Sequence, residues 1–258
     1  MQELLAFLNS HVSVRHFAEQ TITEDQELEI ITTAQRSPTS SNLQAYTIIG
    51  VRNHDKKDRL AELCGRQQHI AKSGLFLVFC ADLYRLSRLN EEKGYPFTGE
   101  YTEPFIVATV DTALVAGRAL MAAQAMGLGG VMVGAIRNNP DEVAEMLNLP
   151  PYTYAVMGMS IGYPAVAPKP KPRLPIEAIY CRETYHDAPF ANAIAQYDVT
   201  IDQVGHLKGR EVNAADHPNF KGLYSWSEHS ARRMADFSPS ALRAHMKPHL
   251  VARRLLLK

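Results

Sequence analysis

Cysteine is scarce in this chain, with three residues among 258 and wide gaps between them. Their odd number and their spacing exclude a disulfide framework and the paired patterns of cysteine metal sites. Cys80 lies in the apolar run LFLVFCA, so we expect it to pack as a small hydrophobic side chain. This usage fits a reducing compartment such as the cytoplasm. The first ten residues also lack the basic start and the long apolar run of a signal peptide.

Several catalytic signatures are missing as well. The chain contains no G-x-S-x-G, no H-E-x-x-H and no phosphate-binding P-loop, and we expect no metal site. The stretch GLGGVMVG is glycine-rich, but Met132 stands where the third glycine of G-x-G-x-x-G belongs. The stretch also follows a predicted helix and precedes a predicted strand, which reverses the order of that motif. A Rossmann-type nicotinamide site is therefore not predicted.

Net charge is absent overall, because 27 Lys and Arg balance 27 Asp and Glu. Residues 206–258 hold ten basic and four acidic residues, so this tail carries +6 and the preceding 205 residues carry −6. A basic tail can bind nucleic acid, an anionic membrane surface or a small anion such as a nucleotide phosphate. No helix-turn-helix or zinc signature supports nucleic-acid binding, so we expect no nucleic-acid partner.

An uninterrupted apolar run of membrane length is also lacking. The longest candidate extends from Pro104 to Gly127, but it contains Asp111, Arg118 and Gln124. Each central charge would cost ~2.5–3.5 kcal/mol in a membrane. We therefore predict a long helix buried in protein and no membrane association. Asp111 and Arg118 are seven residues apart, so they share one face of this helix.

Periodicity and turn residues predict an α+β domain. Thr23 and Gln26 form a capping box before a helix that runs to Arg36. Pro140 at a first helical position starts another helix, and Gly127 ends the long one. Residues 85–103 are polar and aromatic, and we expect a mobile excursion there. Further helices are predicted at 2–9, 53–63, 188–198 and from 239 onward, and strands at 45–51, 74–81, 129–135 and 154–164. This mixture is typical of a three-layer fold with a C-terminal extension after about residue 180.

Three polar loops favour a phosphorylated ligand. His11, Ser13 and Arg15 alternate, so an extended backbone would point all three the same way. Lys171 and Arg173 alternate in the same manner, in the proline-held stretch KPKPRLP. The stretch SPTSSN, residues 37–42, offers hydroxyls and backbone amides. Each loop alone is equally compatible with a solvated turn.

Five motifs occur together and in order: HVSVRHF, SPTSSNLQ, GRQQH, GLGGVMVGAIRNN and KPRLP. In this combination the chain resembles the flavin-dependent nitroreductase family, in particular its NADPH-preferring, oxygen-insensitive nitroreductases and flavin reductases. The resemblance covers most of residues 1–200 and returns at YSWSEH, residues 224–229. It implies a three-layer α+β fold with a central, mainly antiparallel sheet, assembled as an intertwined homodimer. Residues 1–180 would form the FMN-binding core. Residues 181–258 would wrap the partner subunit and contribute to the NADPH site.

The resemblance also implies site residues. Arg15 would lie near the pyrimidine O2 of FMN, and the Gly134 N–H would face N5. Lys171 and Arg173 would hold the phosphate. The turn at residues 39–41 would line the ribityl chain and phosphate from the other subunit. The full set of implied FMN contacts is His11, Val12, Ser13, Val14, Arg15, Thr39, Ser40, Ser41, Gln67, Met132, Val133, Gly134, Ala135, Lys171 and Arg173. Lys208 and Arg210 would bind the 2′-phosphate of NADPH.

The implied activity is an NAD(P)H oxidoreductase that passes a hydride through flavin N5 by a ping-pong mechanism. Its acceptors would be nitroaromatics, quinones or free flavin. A cation beside N1 and O2 suits the negative charge that a reduced flavin gains there. Two departures from the family pattern leave an alternative open, because Val12 replaces a usual Arg and Ala135 a usual Gly. The alternative is a non-redox member of the fold that acts as a flavin or nucleotide sensor, or as a flavin-processing protein.

Overall fold

The sheet of the molecule is antiparallel throughout the part of the chain that the structure, a computed structural model, describes. Its strands are β1 (Tyr46–Val51), β2 (Leu75–Asp82), β3 (Gly129–Val133) and β4 (Thr153–Gly162), in the order β1-β2-β4-β3. The structure describes residues 2–167, 169–210, 220, 222 and 224–258, with the backbone alone for Pro239 and Ser240. The expected α+β fold with a central antiparallel sheet is confirmed.

Contacts divide the described chain into two units. The first comprises residues up to Lys169 together with Arg243–Lys258, and the second comprises Pro170–Leu242. The first holds α1 (Gln2–Asn9), α2 (Glu24–Ala34), α3 (His54–Leu63), α4 (Gln68–Ala71), α5 (Tyr84–Lys93), α6 (Thr102–Ala125), α7 (Pro140–Met146) and α11 (Met246–Ala252). The second holds α8 (Phe190–Gln203), α9 (Trp226–Met234) and α10 (Pro239–Leu242). Short 3-10 turns occur at Ser40–Asn42, Gly134–Arg137 and Ile176–Ala178. The functional division predicted at residue 180 stays a prediction.

The three layers follow from the side-chain alternation of β2, whose eight residues are all buried. Leu75, Leu77 and Phe79 enter one core cluster, together with buried residues of α2 and α6. Phe76, Val78 and Cys80 enter another cluster, with residues of α3, α4 and α7. Successive strand residues point to opposite faces, so a continuous apolar strand needs helices on both sides.

The long helix α6 covers one face of the sheet. By length and composition alone it could span a membrane, a test that buried core helices also pass. Its buried residues include Val115, Ala119 and Ala123, which pack in the core beside β2 and β4. On another face it exposes an apolar stripe of Ile106, Val110, Leu114 and Met121.

Most predicted helix boundaries are confirmed. Thr23 and Gln26 form the capping box of α2, and Pro140 starts α7. The prediction of an excursion over 85–103 was wrong for its first part, because α5 occupies Tyr84–Lys93 and ends at Gly94 in a left-handed conformation. Strand β3 was predicted to reach Ala135, but it ends at Val133, where the chain turns into Gly134–Arg137.

Candidate functional site

The segment 11–15 lies beside β3. Ser13 forms a parallel bridge with Gly130, and the Val14 N–H donates to the Gly130 carbonyl at 3.0 Å. A Cβ on Gly129 would lie 2.4 Å from Val14 Cγ2, so this close approach requires a glycine. Val14 is buried and Arg15 exposed, as the predicted alternation requires. The Arg15 guanidinium is thus presented to solvent next to the strand that carries Met132 and Val133.

Gln67 belongs to a hydrogen-bonded chain that ends on β4, the strand paired with β3. His69 Nε2 lies 2.9 Å from Gln67 Oε1, and His69 Nδ1 lies 3.0 Å from Ser160 Oγ. Ser160 is fully buried and pairs with Val131 across the sheet. Burial, Arg15 and His16 lower the pKa of His69, so its ring is neutral at pH 7. The structure therefore brings Arg15, Gln67 and β3 into one neighbourhood.

The 3-10 turn that follows β3 is held by residues that the sequence did not indicate. Arg137 Nη1 donates to the Val156 carbonyl, and the Arg137 carbonyl lies 2.9 Å from His245 Nε2. Asn138 Oδ1 accepts from Arg243 Nε at 2.9 Å. These contacts hold Arg137 and Asn138, just after Gly134 and Ala135, from β4 and from the C-terminal segment. The contacts with Arg243 and His245 span 105 and 108 residues of sequence, so they left no local signal.

The turn at Thr39–Ser41 is positioned by α6. The Ser40 N–H donates to Asp111 Oδ1 at 3.0 Å, and Asp111 is 1% exposed. Ser41 adopts a left-handed conformation, with φ of 49°. The hydroxyls of Thr39 and Ser41 therefore belong to a turn whose backbone is held by a hydrogen bond to α6.

Lys171 and Arg173 lie in the second unit, on an extended and exposed segment. Tyr197 anchors this segment by donating its hydroxyl to the Pro172 carbonyl at 3.0 Å. Arg173 Nη1 donates to the Lys171 carbonyl at 3.0 Å, which turns the guanidinium along the backbone. Both side chains remain accessible to an anion.

Lys208 and Arg210 are also exposed in the second unit. Arg210 Nη1 lies 3.2 Å from His229 Nδ1, and the Tyr224 hydroxyl lies 2.7 Å from the same nitrogen. Burial, Arg210 and Arg233 lower the pKa of His229. A cavity of about 420 Å³ lies beside this group and is lined by Tyr224, His229, Arg232, Arg233, Ala235, Asp236 and Phe237. Arg210 thus reaches a residue that lines this basic cavity, and Lys208 is exposed two residues before it.

Other chemistries have little support among the described residues. No group of three or more His, Cys, Asp or Glu side chains in this part of the chain could hold a metal ion. Burial raises the pKa of Cys64 and of Cys80 to about 12, so neither thiol forms a nucleophile at neutral pH.

The donors fit a flavin mononucleotide. A flavin ring needs an exposed cation for its pyrimidine edge, an amide partner and close backbone; Arg15, Gln67 and the turn after β3 supply these around one strand. In the second unit, taken by itself, Lys171 and Arg173 are exposed cations of the kind that bind a phosphate. The hydroxyls of the 39–41 turn, where Ser40 and Ser41 are exposed and Thr39 is half-buried, suit a ribityl chain.

Comparison with known proteins gives consistent results. The model of the Nitroreductase family matches residues 8–163, and that of the Nitroreductase family, C-terminal domain, matches residues 171–258. An FMN reductase (NADPH) of Bacillus subtilis is 40% identical over 205 residues, which cover 78% of this chain and 82% of the relative. The NADPH-flavin oxidoreductase of Vibrio harveyi is 31% identical over 99% of both chains. Among solved structures, a nitroreductase of B. subtilis superposes with a TM-score of 0.88 at 34% identity, covering 98% of this chain and 99% of that one.

Proposed function

The chain belongs to the nitroreductase family, and on that premise we propose that it is an FMN-dependent NAD(P)H oxidoreductase. The observation that carries this function is the meeting of three separate segments, residues 11–15, Gln67 and Met132–Ala135, around β3. When bound, FMN supplies the hydride acceptor and donor at N5. NAD(P)H and the final acceptor use the same cleft in turn, which is a ping-pong mechanism.

The residues of this chain bind and polarise the coenzyme. Arg15 would hold the pyrimidine edge of the coenzyme, where its positive charge would favour negative charge at N1 and O2. The neutral His69 ring orients Gln67, whose amide N–H groups are then left to donate to the coenzyme. The backbone N–H of Gly134 would donate toward N5. Lys171 and Arg173 would hold the phosphate of the coenzyme.

NADPH is the expected electron donor. The exposed Lys208 and Arg210, together with the arginines beside His229, make a basic region that suits the extra 2′-phosphate. The structure solved for the V. harveyi NADPH:FMN oxidoreductase contains NAD+; it superposes on this chain with a TM-score of 0.84 at 30% identity and covers 98% of this chain and 99% of that one.

A homodimer is supported by uncovered apolar surface. The α6 stripe of Ile106, Val110, Leu114 and Met121 is between 42% and 51% exposed, and α1 exposes Leu4, Leu5 and Leu8. Apolar rows of this kind mark association surfaces. In the dimer, the 39–41 turn of one subunit completes the FMN site of the other. Residues 181–258 wrap the partner subunit.

The acceptors are small oxidants, namely nitroaromatics, quinones or free flavin, and the enzyme works in the cytoplasm. Steady-state rates with NADPH and a nitroaromatic test this activity. Parallel double-reciprocal lines are expected, because the two substrates bind in turn. A protein that binds FMN yet shows no NADPH turnover with any of these acceptors would instead be the sensor suggested by Val12 and Ala135.

A further inference from the structure

The turn that follows α2 is strained. Ser41, Asn42 and Gln44 have φ of 49°, 55° and 51°, a left-handed conformation that residues other than glycine rarely adopt. None of the three is glycine, so the conformation costs free energy that the surrounding structure must offset. Two backbone bonds close the turn, from the Asn42 N–H to the Thr39 carbonyl and from the Leu43 N–H to the Ser40 carbonyl. Unstrained turns make the same backbone hydrogen bonds. The left-handed conformation must therefore be held by contacts outside the turn.

One face of α6 makes three hydrogen bonds to this turn and to the residues just before it. Asp111 Oδ1 accepts from the Ser40 N–H at 3.0 Å. The Leu114 carbonyl accepts from the Ser37 hydroxyl at 3.3 Å. Arg118 Nη1 donates to the Arg36 carbonyl at 2.7 Å. Positions 111, 114 and 118 are three and four residues apart, so they form one row along the helix.

Asp111 is the unusual member of this row. Its side chain is 1% exposed, and its Oδ2 has no hydrogen-bond partner among the described residues. Among the described residues no cation forms an ion pair with Asp111. Burial raises the pKa of Tyr46, Arg85 opposes this rise, and Asp111 adds a smaller contribution to it. A buried carboxylate with one unpaired oxygen destabilises a fold, so packing alone would favour a neutral side chain here.

We propose that Asp111 is a positioning residue for coenzyme binding. Its carboxylate holds the Ser40 amide and thereby keeps the turn in the strained conformation that presents the Thr39 and Ser41 hydroxyls to the ribityl chain and phosphate. Arg118 supports the same turn at its entrance. This inference rests on the proposed FMN site, and it adds a residue that does not touch the coenzyme.

The test compares Asp111→Ala with Thr112→Val. Thr112 is a matched control because it is also fully buried on α6, and its hydroxyl bonds the Cys80 and Ala108 carbonyls, away from the turn. FMN affinity is measured by flavin fluorescence quenching, and the melting temperature is measured on the FMN-free proteins. We expect Asp111→Ala to weaken FMN binding about 10- to 100-fold, the loss expected for a charge-assisted bond. Thr112→Val should lower the melting temperature with FMN affinity unchanged.

Asp111→Asn supplies a second readout. It keeps an oxygen for the Ser40 amide and removes the buried charge, so it should regain most of the FMN affinity and melt at or above the wild-type temperature. Should Asp111→Ala fail to fold, Arg118→Ala tests whether α6 positions the turn, because Arg118 is only half-buried. We expect this variant to weaken FMN binding about threefold. FMN affinity within twofold of wild type in the folded variants would overturn the role of Asp111. Wild-type protein that itself fails to bind FMN would instead refute the proposed function.

Discussion

The Nε2 atom of His69 lies 2.9 Å from Oε1 of Gln67, and this single contact decides which group Gln67 offers to its surroundings. Ser160 is buried, and its hydroxyl oxygen lies 3.0 Å from His69 Nδ1. Gln67 Oε1 can only accept a hydrogen bond. A neutral imidazole has one donor and one acceptor nitrogen, so Nε2 then carries the proton and donates to Gln67. The amide NH2 of Gln67 is consequently the end that is left for a ligand.

Acid should destabilise the protein through His69. Burial, Arg15 and His16 lower its pKa in the folded state, whereas in the unfolded chain it keeps a value near 6.5. As the pH falls below 6.5, His69 binds a proton in the unfolded chain before it does so in the folded protein. The free energy of unfolding therefore decreases until the pH passes the pKa of the folded state. His69→Gln should therefore show a flatter loss of melting temperature between pH 8 and pH 5 than wild type. His54→Gln, at an exposed position, should follow the wild-type curve; equal slopes in all three proteins would contradict the assignment. His229 also has a lowered pKa and contributes the same slope to each protein.

Replacing Lys171 and Arg173 together by Ala should release FMN. Each exposed cation contributes a charge-assisted bond to the phosphate, so the affinity should fall about 100-fold or more. Flavin content after gel filtration and titration with FMN measure the loss. The control is Lys169→Ala, a neighbouring exposed lysine outside the predicted set. Unchanged occupancy in the double variant would remove this segment from the site.

Replacing Lys208 and Arg210 together by Ala should separate the two nicotinamide donors. The KM for NADPH should rise about 10-fold, and the KM for NADH should change less than about twofold, because NADH lacks the 2′-phosphate. Initial rates with each donor at saturating acceptor give both constants. A parallel rise in both would place the 2′-phosphate elsewhere.

A charge in the exposed α6 stripe should break the dimer. Val110 is 51% exposed in the single chain, and Val110→Glu would bury an unpaired carboxylate at the proposed interface. Light scattering after gel filtration should then report a monomer with reduced FMN affinity. Leu89→Glu is the matched control, since Leu89 is a 47% exposed apolar residue on α5. A Val110→Glu protein that remains dimeric would show that the stripe is not the interface.

Local sequence was sufficient to predict the helices and strands that short-range interactions determine. The capping residues Thr23 and Gln26 and the continuous apolar run of β2 each determine their structure within a few residues. Five motifs in register identified the family and the antiparallel sheet. The helix α5 was missed because its only local signals are helix-forming polar residues and the left-handed Gly94 at its end.

The residues that position the site could not be found in this way. Asp111 contacts Ser40 across 71 residues of sequence, and His69 contacts Ser160 across 91. Such pairs are brought together by packing, after the helices and strands have formed. The sequence did place Asp111 and Arg118 on one face of the long helix, but the segment that this face holds became evident only in the folded chain.

The absorption spectrum of the purified protein, before and after anaerobic NADPH, tests the central claim most directly. The account predicts a visible flavin band that is present as isolated or after FMN is added, and that NADPH bleaches within one turnover. Air or a nitroaromatic should restore the band. Protein that stays colourless with excess FMN, or a bound flavin that NADPH leaves oxidised, would contradict the account.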